Sequence, residues 1–271
     1  MPDASFVIVT VARGARSLRS LRHGETFHPN VGPMAEARDM HVAQQGLVTR
    51  ASEAGAGPFV VWDVGLGAAA NAVAVLEALR AAGPRAVELH SFDDTLAPLE
   101  FALQHAADLG YFAGWESEVA TLLRDGTVQC GRVAWRLQLG DFRERVHDAR
   151  IPAPHAVLFD PYSPAANPEL WNLATFSAIR RRAGEDCVLT NYSLSTQVRV
   201  TLLRAGWFVG RGGSTGEKLQ TTVAATRAEL LTAPLDATWL ERVHRSTAAG
   251  PSVADELRAH PQFLTAAPAL G

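Results

Sequence analysis

The chain has 271 residues, of which 47% are hydrophobic and 20% charged, and its formal net charge at pH 7 is −3. This composition allows a sizeable hydrophobic core. It lacks the strong basic excess of most nucleic-acid-binding domains, although a local basic face can coexist with an acidic remainder. Cys130 and Cys187 are far apart, and this spacing argues against a zinc site, an iron–sulfur cluster or a disulfide framework.

No apolar run approaches the roughly 20 residues that a membrane-spanning helix needs. The first residues also lack the basic and apolar regions of a signal peptide. We therefore expect a cytoplasmic protein with neither a membrane nor a metal ion among its partners. Nothing in the sequence indicates an oligomeric state.

Residues 1–55 differ in pattern from the rest of the chain and predict an N-terminal extension. The strand predictions rest on β-prone runs on either side of Gly14. The elements expected here are a β-hairpin of residues 6–11 and 17–21, a polar turn-rich segment at 23–33, a helix from about 34 to 48, and a joint at 54–58.

Residues 56–226 alternate between strand and helix patterns, which predicts an α/β domain around a mainly parallel sheet. The expected strands are 59–64, 86–92, 133–139, 155–160 and 187–192. The expected helices are 69–81, a long helical region that ends near 124, 170–183 and 196–205. Strands at 207–211 and 219–225 flank a short Gly-rich loop, so we expect an antiparallel hairpin, because a parallel crossover needs about a dozen residues. Residues 227–271 predict a peripheral helical tail.

A glycine turn joins the first strand of this domain to its helix. Gly65 and Gly67 let the backbone turn tightly and approach a ligand without a Cβ in the way. The helix that follows offers free N–H groups at its start. The spacing through Ala70 also fits the dinucleotide fingerprint, although a purely structural turn has the same pattern.

Acidic residues follow the next two strands at the same edge of the sheet. Asp93 is placed to accept hydrogen bonds from a ribose diol, and Asp141 can accept from an adenine amino group. Either acid can instead cap the next helix. A nicotinamide dinucleotide and S-adenosylmethionine both fit this pattern. Few residues remain for a second substrate domain, and the final hairpin also favours a methyltransferase over a dehydrogenase.

The loop after the fourth strand contains three prolines, which restrict its conformation. Asp160 lies at the end of that strand and Pro161 follows it directly. Because ligands of open α/β sheets bind just outside the carboxyl ends of the strands, Asp160 is the candidate catalytic residue.

The segment Asp160-Pro161-Tyr162-Ser163-Pro164, with Asn167-Pro168-Glu169-Leu170-Trp171, resembles the D-P/G-F-S/A-P-x-x-N-P-x-x-W motif of a methyltransferase family. Members of this family complete 5-methylaminomethyl-2-thiouridine at the tRNA wobble position. Gly65 to Asn71 resembles the family's G-x-G-x-x-x-N turn. Further similar segments follow in the expected order, namely Glu25-Thr26-Phe27-His28, Glu36-Ala37, Ser91-Phe92-Asp93 and Gly140-Asp141-Phe142. The resemblance covers about residues 16–226.

The resemblance implies a Rossmann-like methyltransferase fold with S-adenosyl-L-methionine as the methyl donor. It also implies the conversion of 5-aminomethyl-(2-thio)uridine to 5-methylaminomethyl-(2-thio)uridine in tRNA. Better-known members carry a fused flavin-dependent oxidase, but this chain has no second Gly-rich dinucleotide motif. We therefore expect the single-domain form without a flavin. Pro161 stands where fused members have glycine, and it stiffens the loop.

The expected cofactor site lies around the strand ends and consists of Asp63, Gly65, Gly67, Asn71, Asp93, Gly140, Asp141, Phe142, Asp160 and Pro161. Asp160 is expected to orient the acceptor amine and is also a candidate to receive its proton. Expected substrate contacts are Tyr162, Tyr192, Arg19, Arg22 and His23.

Two polar groups of the N-terminal extension have more than one interpretation. The run Arg13, Arg16, Arg19 and Arg22 can contact phosphates or form a solvated hairpin face. The segment with His23, Glu25 and His28 lacks the further ligands that a metal site needs. Two interpretations of it remain: contact with the cofactor or tRNA, and a hydrogen-bonded loop. If RNA is the substrate, we expect a basic mouth around the site.

The weak overall basicity supports an alternative function, methyl transfer to a small-molecule amine. A non-catalytic binding protein on the same scaffold is a third hypothesis. The presence of Gly65, Gly67, Asp93, Asp141 and Asp160 argues against that third hypothesis.

Overall fold

Ten strands form in residues 5–53, 55–81, 83–213, 220–247 and 249–264, which the computed structural model describes. They are β1 Phe6–Thr10, β2 Arg16–Ser20, β3 Phe59–Val64, β4 Val87–Asp93, β5 Thr127–Cys130, β6 Val133–Leu139, β7 Ala156–Phe159, β8 Val188–Asn191, β9 Phe208–Gly212 and β10 Thr221–Ala225. Strands β1 and β2 form an antiparallel hairpin, and the others form one sheet in the order β5-β6-β4-β3-β7-β8-β10-β9.

The α-helices of the described residues are α1 Pro33–Glu36, α2 Leu47–Arg50, α3 Ala70–Leu79, α4 Ala97–Gln104, α5 Ala106–Leu109, α6 Glu116–Asp125, α7 Phe142–Arg145, α8 Leu173–Arg182, α9 Thr196–Arg204, α10 Ala237–His244, α11 Pro251–Leu257 and α12 Pro261–Leu264. A π-helix spans Ala37–Ala43, and short 3₁₀-helices span Ala12–Gly14 and Ala228–Leu230.

The centre of the sheet is parallel, from β6 through β4, β3 and β7 to β8. All six residues of β3 are buried, as expected for a strand that is covered on both faces. Side chains alternate between two cores: Val61 packs with α3 and α6, whereas Trp62 packs with α8 and α9. The carboxyl ends of five strands therefore meet at one edge of the sheet.

The predicted fold class is confirmed: the sheet is mainly parallel and ends in the antiparallel hairpin of β9 and β10. Strands β3 and β6 have the predicted limits. Parts of four predicted segments lie outside the described residues, namely residues 1–4, Ala54, Leu219 and residues 265–271.

The structure divides two predicted helical segments and adds one strand that was not predicted. The helix expected over 34–48 is divided into α1, the π-helix and α2, and Gly46 before α2 has a φ of +59°. The long helical region consists of α4, α5 and α6. The antiparallel edge strand β5 was not predicted, because it has only four residues and is largely exposed, so it carries no apolar signal.

The C-terminal segment is helical, as predicted, but it is not peripheral. Trp239 and Phe263 are buried in the core on the α8–α9 face of the sheet. The Gln262 side chain accepts from Val209 N at 2.7 Å and donates to Val209 O at 2.8 Å and Leu235 O at 2.7 Å. These contacts fix the segment to the edge strand β9.

The N-terminal hairpin packs against the other face. Phe6 and Leu18 belong to the same core as β3 and α3, and the rings of Phe6 and Phe101 lie 5.9 Å apart. This packing brings β2 and the segment after it to the edge where the parallel strands end.

Candidate active site

A cleft of about 1030 Å³ opens between the carboxyl ends of the parallel strands and the N-terminal extension. All but two of the predicted site residues line it, namely Arg19, Arg22, His23, Gly65, Gly67, Asp93, Gly140, Asp141, Phe142, Asp160, Pro161, Tyr162 and Tyr192. The other two, Asp63 and Asn71, are buried next to the lining residues.

The glycine turn directly contacts the proline loop. Gly65 has a φ of +92°, and a Cβ built on it would lie 2.8 Å from Asp160 O and from Pro161 Cα. Gly67 has a φ of +49°, and a Cβ there would meet the Phe27 ring at 3.0 Å. Glycine at these two positions therefore lets β3, β7 and the N-terminal extension converge on one point.

Asp93 binds the same turn from the end of β4. Its Oδ2 accepts from Gly67 N at 2.8 Å, and its Oδ1 accepts from Thr95 N at 3.2 Å. Burial raises the pKa of Asp93 to about 6. The carboxyl fixes the turn and still faces the cleft, where its remaining lone pairs can accept hydroxyl protons.

Asp141 caps the short helix α7, which was one of its two interpretations. Its carboxylate accepts from Arg143 N at 2.8 Å and also pairs with the Arg143 guanidinium. The hydrogen bond from the Arg143 side chain holds the pKa of Asp141 below its ordinary range. Because Asp141 also lines the cleft, capping leaves a charged group at the end of β6.

Asp160 is nearly buried and has polar neighbours from three separate segments. Asn71 Nδ2 donates to Asp160 Oδ2 at 2.8 Å, while His28 Nε2 and His41 Nε2 lie 3.7 and 3.9 Å from the same oxygen. Burial by itself raises the pKa of Asp160. The two imidazoles and the amide outweigh burial and hold the pKa below its ordinary value, so the carboxyl is charged.

Asp63 is mainly uncharged, in contrast to Asp160. It is fully buried at the end of β3, and its Oδ2 accepts from Ser91 Oγ at 2.8 Å. Burial raises the pKa of Asp63 to about 8, and the nearby Asp160 and Asp93 add to the shift. The carboxyl is therefore largely protonated at neutral pH, and it does not line the cleft.

Comparison with known proteins agrees with this arrangement. Residues 113–227 match the family model of an S-adenosyl-L-methionine-dependent methyltransferase. The solved structure of MnmC2 from Aquifex aeolicus superimposes with a TM-score of 0.73 at 25% identity, covering 95% of this chain and 86% of that one. The matched segment and the fold are those of the S-adenosyl-L-methionine-dependent methyltransferases.

Two curated relatives are named tRNA 5-methylaminomethyl-2-thiouridine biosynthesis bifunctional protein MnmC. The protein from Azoarcus sp. (strain BH72) is 33% identical in an alignment of 218 positions that covers 74% of this chain and 33% of that protein. The protein from Ralstonia nicotianae is 30% identical in an alignment of 273 positions that covers 91% of this chain and 39% of that protein. The chain thus spans between a third and two-fifths of the length of these relatives.

The residues of the cleft fit S-adenosylmethionine. The glycine turn leaves no side chain over the ends of β3 and β7, and the Asp93 carboxyl faces the cleft beside it. Phe142 offers an apolar surface at the start of α7. A nucleoside with hydroxyl donors and a flat base matches this combination of acceptor, apolar ring and open backbone.

The proline loop is fixed at several points by side chains from other segments. Trp171 Nε1 donates to Tyr162 O at 2.7 Å, and Tyr192 OH donates to Pro161 O at 2.9 Å. Glu25 accepts from Ser163 N at 3.0 Å and from the Ser163 hydroxyl. Tyr192 therefore positions the loop as well as forming a wall of the cleft.

Aromatic rings stand at the entrance beside this loop. His23 stacks on Tyr162 with 4.3 Å between ring centroids, and Phe27 meets Tyr162 edge-on at 5.4 Å. His23 is exposed, so the outer face of this pair is open.

The lining of the cleft is mainly acidic, and the basic mouth stays a prediction. Its cationic lining side chains, other than histidines, are Arg19, Arg22 and Arg143. Its acidic lining residues are Glu25, Glu36, Asp93, Asp94, Asp141, Asp160 and Glu169. Arg13 and Arg16 lie away from the lining, on the exposed surface of the hairpin.

Several residues near Asp160 were not predicted from sequence. His41, Gln45 and Thr190 are buried, and the Thr190 hydroxyl is hydrogen-bonded to both His41 and Gln45. A polar residue on an otherwise buried helix face, as at His41 beside Ala37 and Met40, was the available signal. His28 belonged to the segment with several interpretations, and the structure brings it to Asp160 with a φ of +46°.

Within the described parts of the chain, no group of three or more His, Cys, Asp or Glu side chains is arranged to hold a metal ion. No helix in these ranges has the length and apolarity to cross a membrane.

We expect Gly65→Ala to disrupt the site. Left-handed backbone costs an alanine about 1–2 kcal/mol, and here the Cβ would also collide with the backbone of the proline loop. The matched control is Gly126→Ala, which has a φ of +70° and no atom within 4 Å of the added Cβ. Urea unfolding should show a larger loss in the free energy of unfolding for Gly65→Ala than for Gly126→Ala. Calorimetry should show that Gly65→Ala binds S-adenosylmethionine more weakly than wild type. Equal losses for both variants would contradict the close contact.

We expect Asp63→Asn to change how stability depends on pH. Between pH 4 and about 8 the folded protein retains the Asp63 proton that the unfolded chain releases, so wild-type stability falls as pH rises. Asparagine does not titrate, so the variant lacks this loss of stability. As the pH increases, the free energy of unfolding of the variant should therefore rise relative to that of wild type, by at most about 1.4 kcal/mol per pH unit.

The measurement is urea unfolding of both proteins from pH 5 to pH 8. Asp148→Asn is the control, because a hydrogen bond from Arg150 lowers the Asp148 pKa to about 2, outside this range. A difference between Asp63→Asn and wild type that does not change with pH would show that Asp63 is ionised in the folded protein.

Proposed function

We propose that the protein transfers a methyl group from S-adenosylmethionine to the amine of 5-aminomethyl-(2-thio)uridine at the tRNA wobble position. The observation that carries this proposal is the charged Asp160, held on a rigid loop whose backbone touches the cofactor-type glycine turn. The names of the relatives with 30–33% identity support tRNA as the substrate.

The cofactor supplies an activated methyl group on a sulfonium, and the protein has to align the acceptor amine with it. Asn71, His28 and His41 all approach Asp160 Oδ2. Oδ1 is therefore the oxygen that we assign to the amine. A hydrogen bond from the amine to Oδ1 would point its lone pair at the methyl group.

The charge state of Asp160 favours orientation over proton transfer. An alkylamine resembles lysine, with a reference pKa near 10.4, whereas the pKa of Asp160 is lowered below its ordinary value. A carboxylate of such low basicity is a poor final acceptor for the amine proton. It does stabilise the cationic amine before deprotonation and the cationic product after methyl transfer.

The acidic lining of the cleft agrees with a cationic acceptor. An alkylamine is mostly protonated at neutral pH, and a cleft lined by one sign of charge concentrates ligands of the other sign. The outer face of the His23–Tyr162 stack offers a surface for a flipped-out pyrimidine, because single-stranded bases commonly stack on aromatic side chains.

The hairpin arginines are proposed to bind the RNA backbone. Arg13, Arg16, Arg19 and Arg22 are exposed, and no ion pair to them occurs among the described residues. Many other arginines are paired with acids, as in Arg38–Glu77 and Arg124–Asp125. Unpaired arginines next to the cleft are suited to phosphates.

Three further expectations remain part of the proposal. Residues 1–55 would act as a substrate-binding extension, 56–226 as the methyltransferase domain and 227–271 as a supporting tail. No flavin would bind, so a separate enzyme would supply the aminomethyl group. A tRNA substrate would place the activity in the cytoplasm.

A small-molecule amine is the second candidate acceptor, and the acidic lining of the cleft favours it. The deciding experiment supplies labelled S-adenosylmethionine with tRNA containing 5-aminomethyluridine, with tRNA lacking that group, and with alkylamines. Label in the first RNA alone supports the proposal. Label only in the alkylamines would establish the second candidate.

Asp160→Asn should lower kcat about a hundredfold or more while leaving cofactor affinity nearly unchanged, because the amide cannot hold a cationic amine. Asp125→Asn is the control, an exposed acid paired with Arg124 outside the cleft. Isothermal calorimetry measures cofactor binding and label transfer measures kcat. A large loss of cofactor binding in Asp160→Asn would mean that this acid serves the cofactor instead.

Arg16→Gln and Arg19→Gln should each weaken tRNA binding and reduce the slope of log affinity against log salt by about one. Arg38→Gln is the matched control, since Arg38 is paired with Glu77 at 2.6 Å. Filter binding at several salt concentrations gives the slopes. If all three variants bind as wild type does, the hairpin is a solvated face.

A further inference from the structure

A chain of buried hydrogen-bonding groups leads from the sheet to His41, the neighbour of Asp160. It runs from the Val157 carbonyl through Gln45 and Thr190 to His41. These three side chains come from the π-helix, the turn after it and β8, and all are essentially inaccessible to solvent. Such a chain has few possible arrangements of its protons, and its carbonyl end fixes one of them.

The orientation of the Gln45 amide follows from its neighbours. Its nitrogen lies 3.0 Å from Val157 O and 2.7 Å from Thr190 Oγ1. A backbone carbonyl only accepts hydrogen bonds, so the amide nitrogen must be the atom that faces it. The second N–H of the same nitrogen is then donated to Thr190 Oγ1.

The hydrogen bond from Gln45 to Thr190 also determines the direction of the hydrogen bond between Thr190 and His41. Its oxygen already accepts from Gln45, and His41 Nδ1 lies 2.8 Å away. No other hydrogen-bond acceptor contacts this hydroxyl among the described residues. The hydroxyl therefore donates to Nδ1, and in the neutral ring the proton is carried by Nε2.

The protonated Nε2 of His41 faces the proposed catalytic acid. It is buried, it has no hydrogen-bond partner among the described residues, and it lies 3.9 Å from Asp160 Oδ2. A buried N–H without a partner is unfavourable, and active-site hydrogen bonds are often long until the substrate is bound. A small movement would bring this N–H into contact with the carboxylate.

We propose that His41 is a positioning residue for Asp160, set by Gln45 and Thr190 as a neutral donor to Asp160 Oδ2. With Asn71 it holds Oδ2, so that Oδ1 is presented to the acceptor amine. The role in catalysis rests on the proposed function, but the tautomer and its effect on Asp160 do not. The π-helix supports this role, because such helices frequently occur at functional sites.

Other titratable groups also face Asp160 and must be held constant in a test. They are His28, at 3.7 Å from Oδ2, and Asp63 and Tyr192, which interact with its charge. Substitutions confined to His41 leave all three in place.

Two substitutions at His41 distinguish its two nitrogens. Glutamine can place an amide N–H near the position of Nε2, whereas asparagine reaches only the position of Nδ1. We expect the kcat of His41→Gln to stay within about threefold of wild type. The kcat of His41→Asn should fall about tenfold, with little change in cofactor affinity. The Asp160 pKa should be about one unit higher in His41→Asn than in His41→Gln.

The readouts separate this proposal from the proposed function. Carbon-13 NMR of aspartate-labelled protein gives the Asp160 pKa without substrate, and Asp160→Asn identifies the signal. Nitrogen-15 NMR of histidine-labelled wild type reads the His41 tautomer directly. His90→Gln, a buried histidine of β4 outside the main cleft, is the control and should leave the Asp160 pKa and kcat unchanged.

Each result has one meaning. A protonated Nε2 together with the expected Gln–Asn difference supports the proposal. A protonated Nδ1 in wild type, an Asn variant that outperforms the Gln variant, or equal Asp160 pKa values in both would overturn it. If wild type methylates no amine, the proposed function fails, while the two NMR measurements still decide the role of His41.

Discussion

The close contact between Gly65 and the Asp160–Pro161 backbone is the constraint on which the site depends. The two strands β3 and β7 are neighbours in the sheet, and their ends approach so closely that no Cβ fits between them. The glycine turn and Asp160 therefore lie side by side in the folded chain. Because Pro161 also restricts the loop, the backbone itself fixes the position of the acid relative to the turn.

Two aspartates at the ends of these adjacent strands have opposite charge states. Asp63 is buried with one hydroxyl donor, and burial raises its pKa to about 8. Asp160 is surrounded by an amide and two imidazoles that outweigh its burial and keep it charged. Two ionised carboxylates so close together would repel each other, so a neutral Asp63 allows Asp160 to carry the charge. The environment of each side chain therefore gives two neighbouring aspartates opposite charge states.

The charge distribution gives the two parts of the proposed substrate different surfaces. The acidic cleft suits a protonated amine, whereas the unpaired arginines of the hairpin suit phosphates. The net charge of −3 does not show this difference, in which the exposed arginines Arg13, Arg16, Arg19 and Arg22 lie on the N-terminal extension and Asp93, Asp141 and Asp160 lie at the strand ends. The packing of Phe6 and Leu18 against the main core is what holds these two surfaces next to each other.

The sequence by itself determined the parallel sheet, the glycine turn and the position of Asp160, because continuous apolar runs, paired glycines and a proline-rich loop are local signals. Strands β3 and β6 were predicted to the residue for that reason. Only the tertiary structure decided the division of the 34–48 helix, the charge states of Asp63 and Asp160, and the link from His41 to Asp160. Protonation and hydrogen bonding depend on burial and on partners that are distant in the chain, and no local pattern records either.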